Sequence, residues 1–474
     1  MKVQYSIYLN KYEEDFKTLV RLLTPSFDHV SVLAKDTKGK TFRASRSSSS
    51  VDDFQLSERG YVVRVYRNQS VMEYASNSLG NPADLANHIK ARFEEMSTLC
   101  DEETWSHLKA QWEDEENCDF LKQSETEIPL SMLDSKKILQ ELKRCSDEAI
   151  NQNEYVVESR LMMNLVEVSA LFVTNKRIMR QAYGFGEGGC VVMVAKEGDM
   201  KFNFDSVSGM YGAEMLPSIC ALMPSTVATA LELFDADTII PGTYDVITTP
   251  EVTGLIAHEA FGHGVEMDMF VKNRALAKDY IGKQIASDIV NMCDGAAEVA
   301  DVSSYFFDDE GSLATKTQII KDGILVSGIC DSLSAYRLGV KATGNGKRQS
   351  FDHKAYTRMT NTYFCPGKDT YEDMVASIKY GYQLEGMQSG MEDPKHWGIQ
   401  CIVARGREIK DGKFTGKIVA PVILSGYVPD LLKSISMVST DMELYGGGYC
   451  GKGYKEFVKT SNGGPYLKAK ARLG

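Results

Sequence analysis

Apolar side chains recur at helical spacing in several stretches of the chain. In residues 12–23, Phe16, Leu19, Val20 and Leu23 fall on one side of a helix, which is the pattern of an amphipathic helix packed on a core. The same spacing predicts further helices at residues 82–118, 135–151, 226–234 and 371–379. We expect the helical region up to residue 151 to form the bridge out of a first lobe.

Elsewhere β-branched and aromatic residues form short runs that are separated by polar turns, the pattern of β-hairpins. The predicted hairpins join residues 61–66 to 71–74, 189–194 to 200–202, and 315–320 to 324–329. Single strands are predicted at residues 30–34 and 244–247, and strands at residues 399–404 and 416–424 are predicted to frame a turn at residues 411–413. The first two hairpins resemble each other, which suggests a duplicated α/β unit.

At 474 residues the chain is long enough for two or three domains. We predict an α+β fold: an amino-terminal α/β lobe with helices on a mixed sheet, then a β-rich carboxy-terminal catalytic lobe carrying one metal-binding helix. The predicted boundaries divide the chain into residues 1–125, 126–235 and 236–474.

One apolar helix carries polar groups that burial would penalise unless they had partners. Thr249 can cap its first backbone N–H groups and Pro250 suits its first turn. His258, Glu259 and His263 follow in the apolar run. Two imidazoles beside a carboxylate are typical of a metal hydrolase, in which the histidines hold the metal and the glutamate accepts a proton from the attacking water. Two core histidines satisfied by backbone carbonyls are the alternative.

The spacing of these residues is H-E-x-x-x-H rather than the H-E-x-x-H of the familiar zinc helix. Five residues advance a regular helix by roughly 140°, so the two rings would point apart. The helix must therefore widen or end locally, as a π-bulge does. Gly262 and Gly264 flank His263 and would lower the conformational free energy needed for that distortion.

Composition and charge narrow the function further. The chain is 43% hydrophobic and 25% charged, as in a soluble globular protein. Its net charge of −12 disfavours nucleic-acid and anionic-membrane partners. We expect no signal peptide after Met1, no run of membrane-spanning length, and reduced thiols for the ten scattered cysteines. These features favour a soluble cytoplasmic protein.

Several motifs in one order resemble the TldD subunit of the TldD/TldE (PmbA) peptidase family, from about residue 241 onward. They are His-Glu-Ala-Phe-Gly-His-Gly-Val-Glu-Met-Asp (258–268), Asp-Asp-Glu-Gly-Ser (308–312), Thr-Gly-Asn-Gly-Lys-Arg (343–348), Arg-Met-Thr-Asn-Thr-Tyr (358–363) and Cys-Gly-Lys-Gly (450–453). The resemblance implies that His258, His263 and Cys450 bind zinc, one ion per catalytic chain, and that Glu259 is the catalytic base.

Cys450 lies in a loop with five glycines, and only the resemblance selects it from the other cysteines. Lys452 is expected to help its deprotonation electrostatically. Two further groups of polar residues each have two possible roles. Glu266 and Asp268 either orient the imidazoles or form a charge pair at the helix end. A second group either binds the substrate backbone or its terminal carboxylate, or consists of ordinary strand polar groups: Arg358, Thr360 and Asn361.

The function expected from these features is zinc-dependent hydrolysis of unfolded or short peptides in an enclosed dimer site. The partner would be a homologous TldE-like subunit or a second copy of the chain, because the resemblance implies dimers. A non-catalytic partner subunit and a metal-dependent amidohydrolase of another amide are the alternatives. Residues 386–407 depart from the family pattern, so substrate preference cannot be carried over.

Overall fold

The computed structural model describes residues 1–68, 70–99, 116–453 and 456–474. Within these residues the strands form two large sheets and two short two-stranded ones. The helices are α1 (Ile7–Leu23), α2 (Pro82–Leu99), α3 (Ser135–Gln152), α4 (Leu216–Ala221), α5 (Met223–Glu232), α6 (Pro250–Leu255), α7 (Met267–Val271), α8 (Ser332–Leu338), α9 (Tyr371–Ala376) and α10 (Val428–Lys433).

The long amphipathic helices are found where the pattern predicts them. α1 begins earlier than predicted because the Ser6 hydroxyl accepts a hydrogen bond from the Leu9 N–H and caps the helix. α3 matches its prediction within a residue at its end. The helix predicted over residues 82–118 is confirmed as far as Leu99, and residues 100–115 lie outside the described part of the chain.

The first large sheet has eight strands in the described residues and lies in the amino-terminal half. They are β1 (His29–Ser45), β2 (Ser49–Asp53), β3 (Glu58–Arg67), β4 (Ser70–Ser76), β5 (Cys118–Gln123), β6 (Val156–Val173), β7 (Arg177–Lys196) and β8 (Asp199–Gly209). Their order is β4-β3-β1-β6-β7-β5, with β2 on β1 and β8 on β7. Since β5 is parallel to β7 and the other pairs are antiparallel, the predicted mixed sheet is confirmed.

Helices cover this sheet and bury its apolar side chains. Phe16 and Leu19 of α1 join Ile89 and Phe93 of α2 in one core cluster with the strands. Strands on both sides of residue 125 pair with each other through β1 and β6. The boundary between the two amino-terminal units remains a prediction.

Two expectations about this lobe are corrected. Ala213–Asp235 is long and apolar enough to pass a length-and-composition test for a membrane span, whereas none was expected. Ile219 and Val227 of this stretch pack in a core cluster with β6 and β7, as in the core helix of a folded domain. Cys145 and Cys220 form a disulfide, so the ten cysteines are not all reduced.

The second large sheet has eleven strands in the described residues and lies in the carboxy-terminal half. They are β9 (Gly242–Thr248), β10 (Met292–Gly295), β11 (Lys316–Lys321), β12 (Ile324–Leu325), β15 (Asn361–Phe364), β16 (Tyr380–Asp393), β17 (Gly398–Lys410), β18 (Lys413–Val419), β19 (Val422–Tyr427), β20 (Met437–Tyr445) and β23 (Ser461–Leu473). The short pairs are β13 (Gly346–Lys347) with β14 (Tyr356–Thr357) and β21 (Tyr449–Lys452) with β22 (Glu456–Lys459).

β23 lies at the centre of this second sheet. It pairs with β9, β15, β19 and β20. The single strand predicted at residues 416–424 is wrong: β18 ends at Val419 and β19 begins at Val422, because Pro421 has no N–H for a continuous ladder. The β-rich character of the carboxy-terminal half is confirmed.

Candidate metal centre

The helix that carries the two histidines follows directly from β9. Thr249 occupies the N-cap position with extended backbone and Pro250 opens α6. The Thr249 side chain does not cap the helix as predicted, since its hydroxyl donates instead to the Leu384 carbonyl oxygen at 3.3 Å. Strand β16, which contains Leu384, therefore fixes the start of the helix against the sheet.

The predicted widening of the helix is present. Residues Ile256–Gly262 form a π-helix, and the His263 N–H donates to the His258 carbonyl oxygen, five residues back. A π-turn brings positions five apart onto one face. The two imidazole rings have centroids 5.1 Å apart and perpendicular planes, so the spacing that separates them on an α-helix brings them together here.

The two glycines act by giving space rather than by adopting unusual backbone angles. Gly262 has ordinary helical angles, φ −61° and ψ −51°. A Cβ on Gly262 would lie 2.3 Å from Sδ of Met359, and a Cβ on Gly264 would lie 2.5 Å from Oε1 of Glu392. The glycines therefore let two other segments pack directly against the π-helix and the turn that follows it.

The three residues expected to bind metal meet at one point. His258, His263 and Cys450 each offer a ligand atom, and these atoms lie within 4.8 Å of one another. Sγ of Cys450 is 3.4 Å from Nε2 of His263. Nδ1 of His258 is buried and has no hydrogen-bond partner in the described residues. Two nitrogens and a sulfur fit a zinc site with one open position.

Cys450 reaches the histidines from the hairpin of β21 and β22, in which it pairs with Val458. The guanidinium of Arg358 is buried and donates to the carbonyl oxygens of Cys450, at 2.5 Å, and Glu456, at 3.2 Å. Arg358 therefore ties both strands of the hairpin from behind. Its contacts support the hairpin and not the predicted binding of substrate.

The prediction that Thr360 and Asn361 bind substrate is contradicted by their burial. Both side chains are fully buried. The Thr360 hydroxyl donates to Asp294 at 2.7 Å, and the Asn361 amide donates to the Gly295 carbonyl oxygen at 2.9 Å. These groups have internal partners in the sheet and do not reach the cavity.

Glu266 contacts one of the histidines directly. Nδ1 of His263 donates to Oε2 of Glu266 at 3.1 Å, which turns Nε2 toward Cys450. Lys452 bridges the two carboxylates, with Nζ 3.0 Å from Glu266 and 2.6 Å from Asp268. Asp268 also pairs with Lys272 and contacts neither imidazole. The geometry fits an orienting role for Glu266 and a charge-pair role for Asp268.

The electrostatics favour a thiolate at Cys450. Burial opposes ionisation of the thiol, but His258 and His263 lower the pKa of Cys450 to about 4. Burial likewise disfavours the imidazolium of His263, but Glu266 and Cys450 together outweigh it and raise the pKa of His263 well above its usual range. Lys452, expected to help the thiolate, pairs with the carboxylates instead.

The expected base faces an open cavity of about 680 Å³ that the metal ligands also line. Within the described residues, no hydrogen bond or ion pair holds the carboxylate of Glu259. A Cβ on Gly390 would lie 2.4 Å from Cγ of Glu259, so β16 packs closely along its side chain. The carboxylate is therefore positioned by packing and remains available to a ligand in the cavity.

Glu392 is a cavity residue that the sequence reasoning missed. Its Oε2 accepts a hydrogen bond from the Gly264 N–H at 3.0 Å, while Oε1 is buried without a partner in the described structure. Burial raises the pKa of Glu392 well above its usual range. Its place in residues 386–407, the segment that departs from the family pattern, was the available signal.

We expect Gly390→Ala to lower peptide turnover by on the order of ten- to a hundredfold, because the new methyl group displaces Glu259. The metal content should not change, since the three atoms nearest to the new methyl group all belong to Glu259. Gly426→Ala is the matched control: it lies in the same sheet, and a Cβ there meets nothing within 4 Å. Steady-state kinetics and metal analysis of the two variants test this; equal turnover would contradict the packing argument.

The carboxy-terminal half of the chain is similar to a family of known proteins. Residues 241–471 match the PmbA/TldA metallopeptidase C-terminal domain. A protein of Methanothermobacter thermautotrophicus named metalloprotease is 32% identical over 278 residues, 58% of this chain and 60% of that protein. A zinc metalloprotease TldD homolog of Saccharolobus solfataricus is 29% identical over 286 residues, covering 59% and 62% of the two chains. The matched segments thus span about three fifths of these relatives.

In three-dimensional structure, the similarity to known proteins includes the amino-terminal half as well. The crystal structure of TldE from Thermococcus kodakarensis matches with a TM-score of 0.75 and 17% identity, over 97% of this chain and 99% of that one. At this identity the match shows the shared fold alone. The segment that contains His258, Glu259, His263 and Cys450 therefore matches the PmbA/TldA metallopeptidase C-terminal domain, and the chain as a whole shares the fold of TldE.

Proposed function

We propose that this chain is a zinc-dependent peptidase of the TldD type that hydrolyses unfolded or short peptides. The observation that carries this proposal is the convergence of His258, His263 and Cys450 in one cavity beside the carboxylate of Glu259, which has no hydrogen-bond or ion-pair partner among the described residues. A non-catalytic partner subunit would have no need of this arrangement.

Zinc held by His258, His263 and Cys450 would supply a Lewis acid that polarises the scissile carbonyl and lowers the pKa of the attacking water. Glu259 accepts the proton of that water and passes it to the leaving amine. Glu266 holds the ring of His263 with Nε2 toward the metal position. Arg358 holds the backbone of Cys450, so that the third ligand stays in place.

The cavity supports a peptide substrate of limited size. A volume of about 680 Å³ is within the usual range for a small-ligand site, so it admits a few residues of extended chain and not a folded domain. Its wall is formed by β16 residues 387–392 and by residues 448–453, which include β21. The first of these lies in the segment that departs from the family pattern and would therefore set the preference of this chain.

A partner subunit is part of the proposal. The fold is shared with TldE of T. kodakarensis over nearly the whole chain, which supports assembly with a TldE-like subunit or with a second copy. A dimer would enclose the cavity and keep folded proteins from reaching Glu259.

The test combines metal analysis, light scattering and peptide cleavage on the purified protein. We expect one zinc per catalytic chain, a dimer, and cleavage of unstructured peptides that a chelator abolishes and added zinc restores. His258→Ala with His263→Ala should lose both metal and activity at unchanged folded fraction. Full-rate cleavage by a metal-free protein would contradict the proposal that zinc is catalytic. Full-rate cleavage by a stable monomer would contradict the proposal of an enclosed dimer site.

A further inference from the structure

Two cysteine thiols outside the metal centre lie in contact in the second large sheet. Sγ of Cys293 is 3.4 Å from Sγ of Cys365. Cys293 is on β10 and is fully buried, whereas Cys365 directly follows β15 and is half-buried. The pair therefore joins an interior thiol to one that solvent can reach.

The sheet geometry explains why the thiols meet. Cys293 pairs with Tyr363 across the two antiparallel strands, and the Cys365 N–H donates to the Asn291 carbonyl oxygen at 2.8 Å, which continues the ladder. Directly paired residues share a face of the sheet, as do residues two apart on a strand. Cys293 and Cys365 are thus diagonal neighbours on one face, held by backbone hydrogen bonds.

The two thiols differ in chemical character. The hydrogen bond from the Cys293 thiol lowers the pKa of Cys365 despite burial, and the ammonium of Lys316 adds to this effect. By contrast, burial raises the pKa of Cys401 and of Cys330 to about 12. A half-exposed thiol of lowered pKa beside a second thiol is the arrangement of redox-sensitive cysteines.

We propose that Cys293 and Cys365 form a two-thiol redox site that a hydroperoxide converts reversibly into a disulfide. The Cys365 thiolate attacks the outer oxygen of the hydroperoxide, the O–O bond breaks, and the products are a sulfenic acid on Cys365 and an alkoxide that takes up a proton. The sulfur of Cys293 then attacks the sulfenic sulfur and the S–O bond breaks. The leaving hydroxide takes the Cys293 proton as water. Closing the bond brings the sulfurs from 3.4 Å to about 2.05 Å.

Peptide mapping tests the proposal, since trypsin places each cysteine in its own fragment: residues 284–316 hold Cys293 and residues 359–368 hold Cys365. The folded protein is treated with tert-butyl hydroperoxide, alkylated and digested. We expect a cross-linked pair of these fragments, lighter by two hydrogens than their sum, which dithiothreitol separates. In Cys293→Ser, Cys365 should remain a sulfenic acid that dimedone traps.

Cys401→Ser is the matched control for loss of a buried thiol, and it should leave the cross-link unchanged. Cys450 lies in a different tryptic fragment, so its oxidation is measured separately. The proposal is overturned if the folded wild-type protein gives dimedone-trapped or over-oxidised Cys365 without the cross-link. It is equally overturned if both thiols stay reduced under peroxide that oxidises free cysteine, or if the cross-link appears only after denaturation.

Discussion

Glu259→Gln should bind zinc normally and turn over peptide at least about a hundredfold more slowly than the wild-type protein. Glutamine keeps the size of the side chain and its packing against Gly390, but it cannot accept a proton. None of the atoms that converge at the metal position belongs to Glu259. The expected loss is therefore in kcat at unchanged metal content, measured by steady-state kinetics and metal analysis.

Glu372→Gln provides the control for removing a carboxylate without touching the cavity, because Glu372 is exposed in the first turn of α9. It should have wild-type turnover. If Glu259→Gln instead kept near-normal turnover with a full complement of zinc, another group in the cavity would accept the proton, and Glu392 would be the first to replace.

Cys450→Ser should weaken zinc binding by more than about a hundredfold. Residues that only orient a ligand already cost ten- to a hundredfold when lost, and a direct ligand should cost more. A neutral hydroxyl replaces a thiolate, which is the softer and better zinc ligand. Competition with a chromogenic chelator measures the affinity, and peptide cleavage should fall in parallel.

Cys401→Ser and Cys365→Ser serve as controls at equal folded fraction. Neither sulfur belongs to the cluster around the histidines, so both variants should keep zinc and differ only in stability. Full zinc and full rate in Cys450→Ser would show that the third ligand is elsewhere and that the role inferred from the family does not hold for this chain.

Much of the local structure could be predicted from short-range patterns. α1 and α3 follow from apolar spacing, and the β3–β4 hairpin follows from its alternating residues. The π-helix was predictable as well, since five-residue spacing of two histidines makes sense only where the helix widens. In each case the signal lies within a window of about twenty residues.

Features that depend on distant contacts could not be predicted in this way. Arg358 was predicted either to bind substrate or to be an ordinary polar residue of a strand, but its guanidinium lies behind the hairpin of Cys450, 92 residues further along. Thr249 had the right residue type for a cap, but its hydroxyl donates to the Leu384 carbonyl oxygen on β16 and does not accept from the helix N–H groups. The segment of Glu392 departs from the family pattern, but its contact could not be predicted because its partner is the N–H of a glycine 128 residues away.

The position of β23 has a consequence for the order in which the sheet forms during synthesis. This strand is made after every other strand of its sheet, yet it pairs with four of them. During synthesis from the amino terminus, the sheet beneath the histidine helix cannot close until residues 461–473 have left the ribosome. A nascent chain would thus carry His258, Glu259 and His263 before the hairpin that brings Cys450 to them has been made, so the proposed zinc site would assemble late in synthesis.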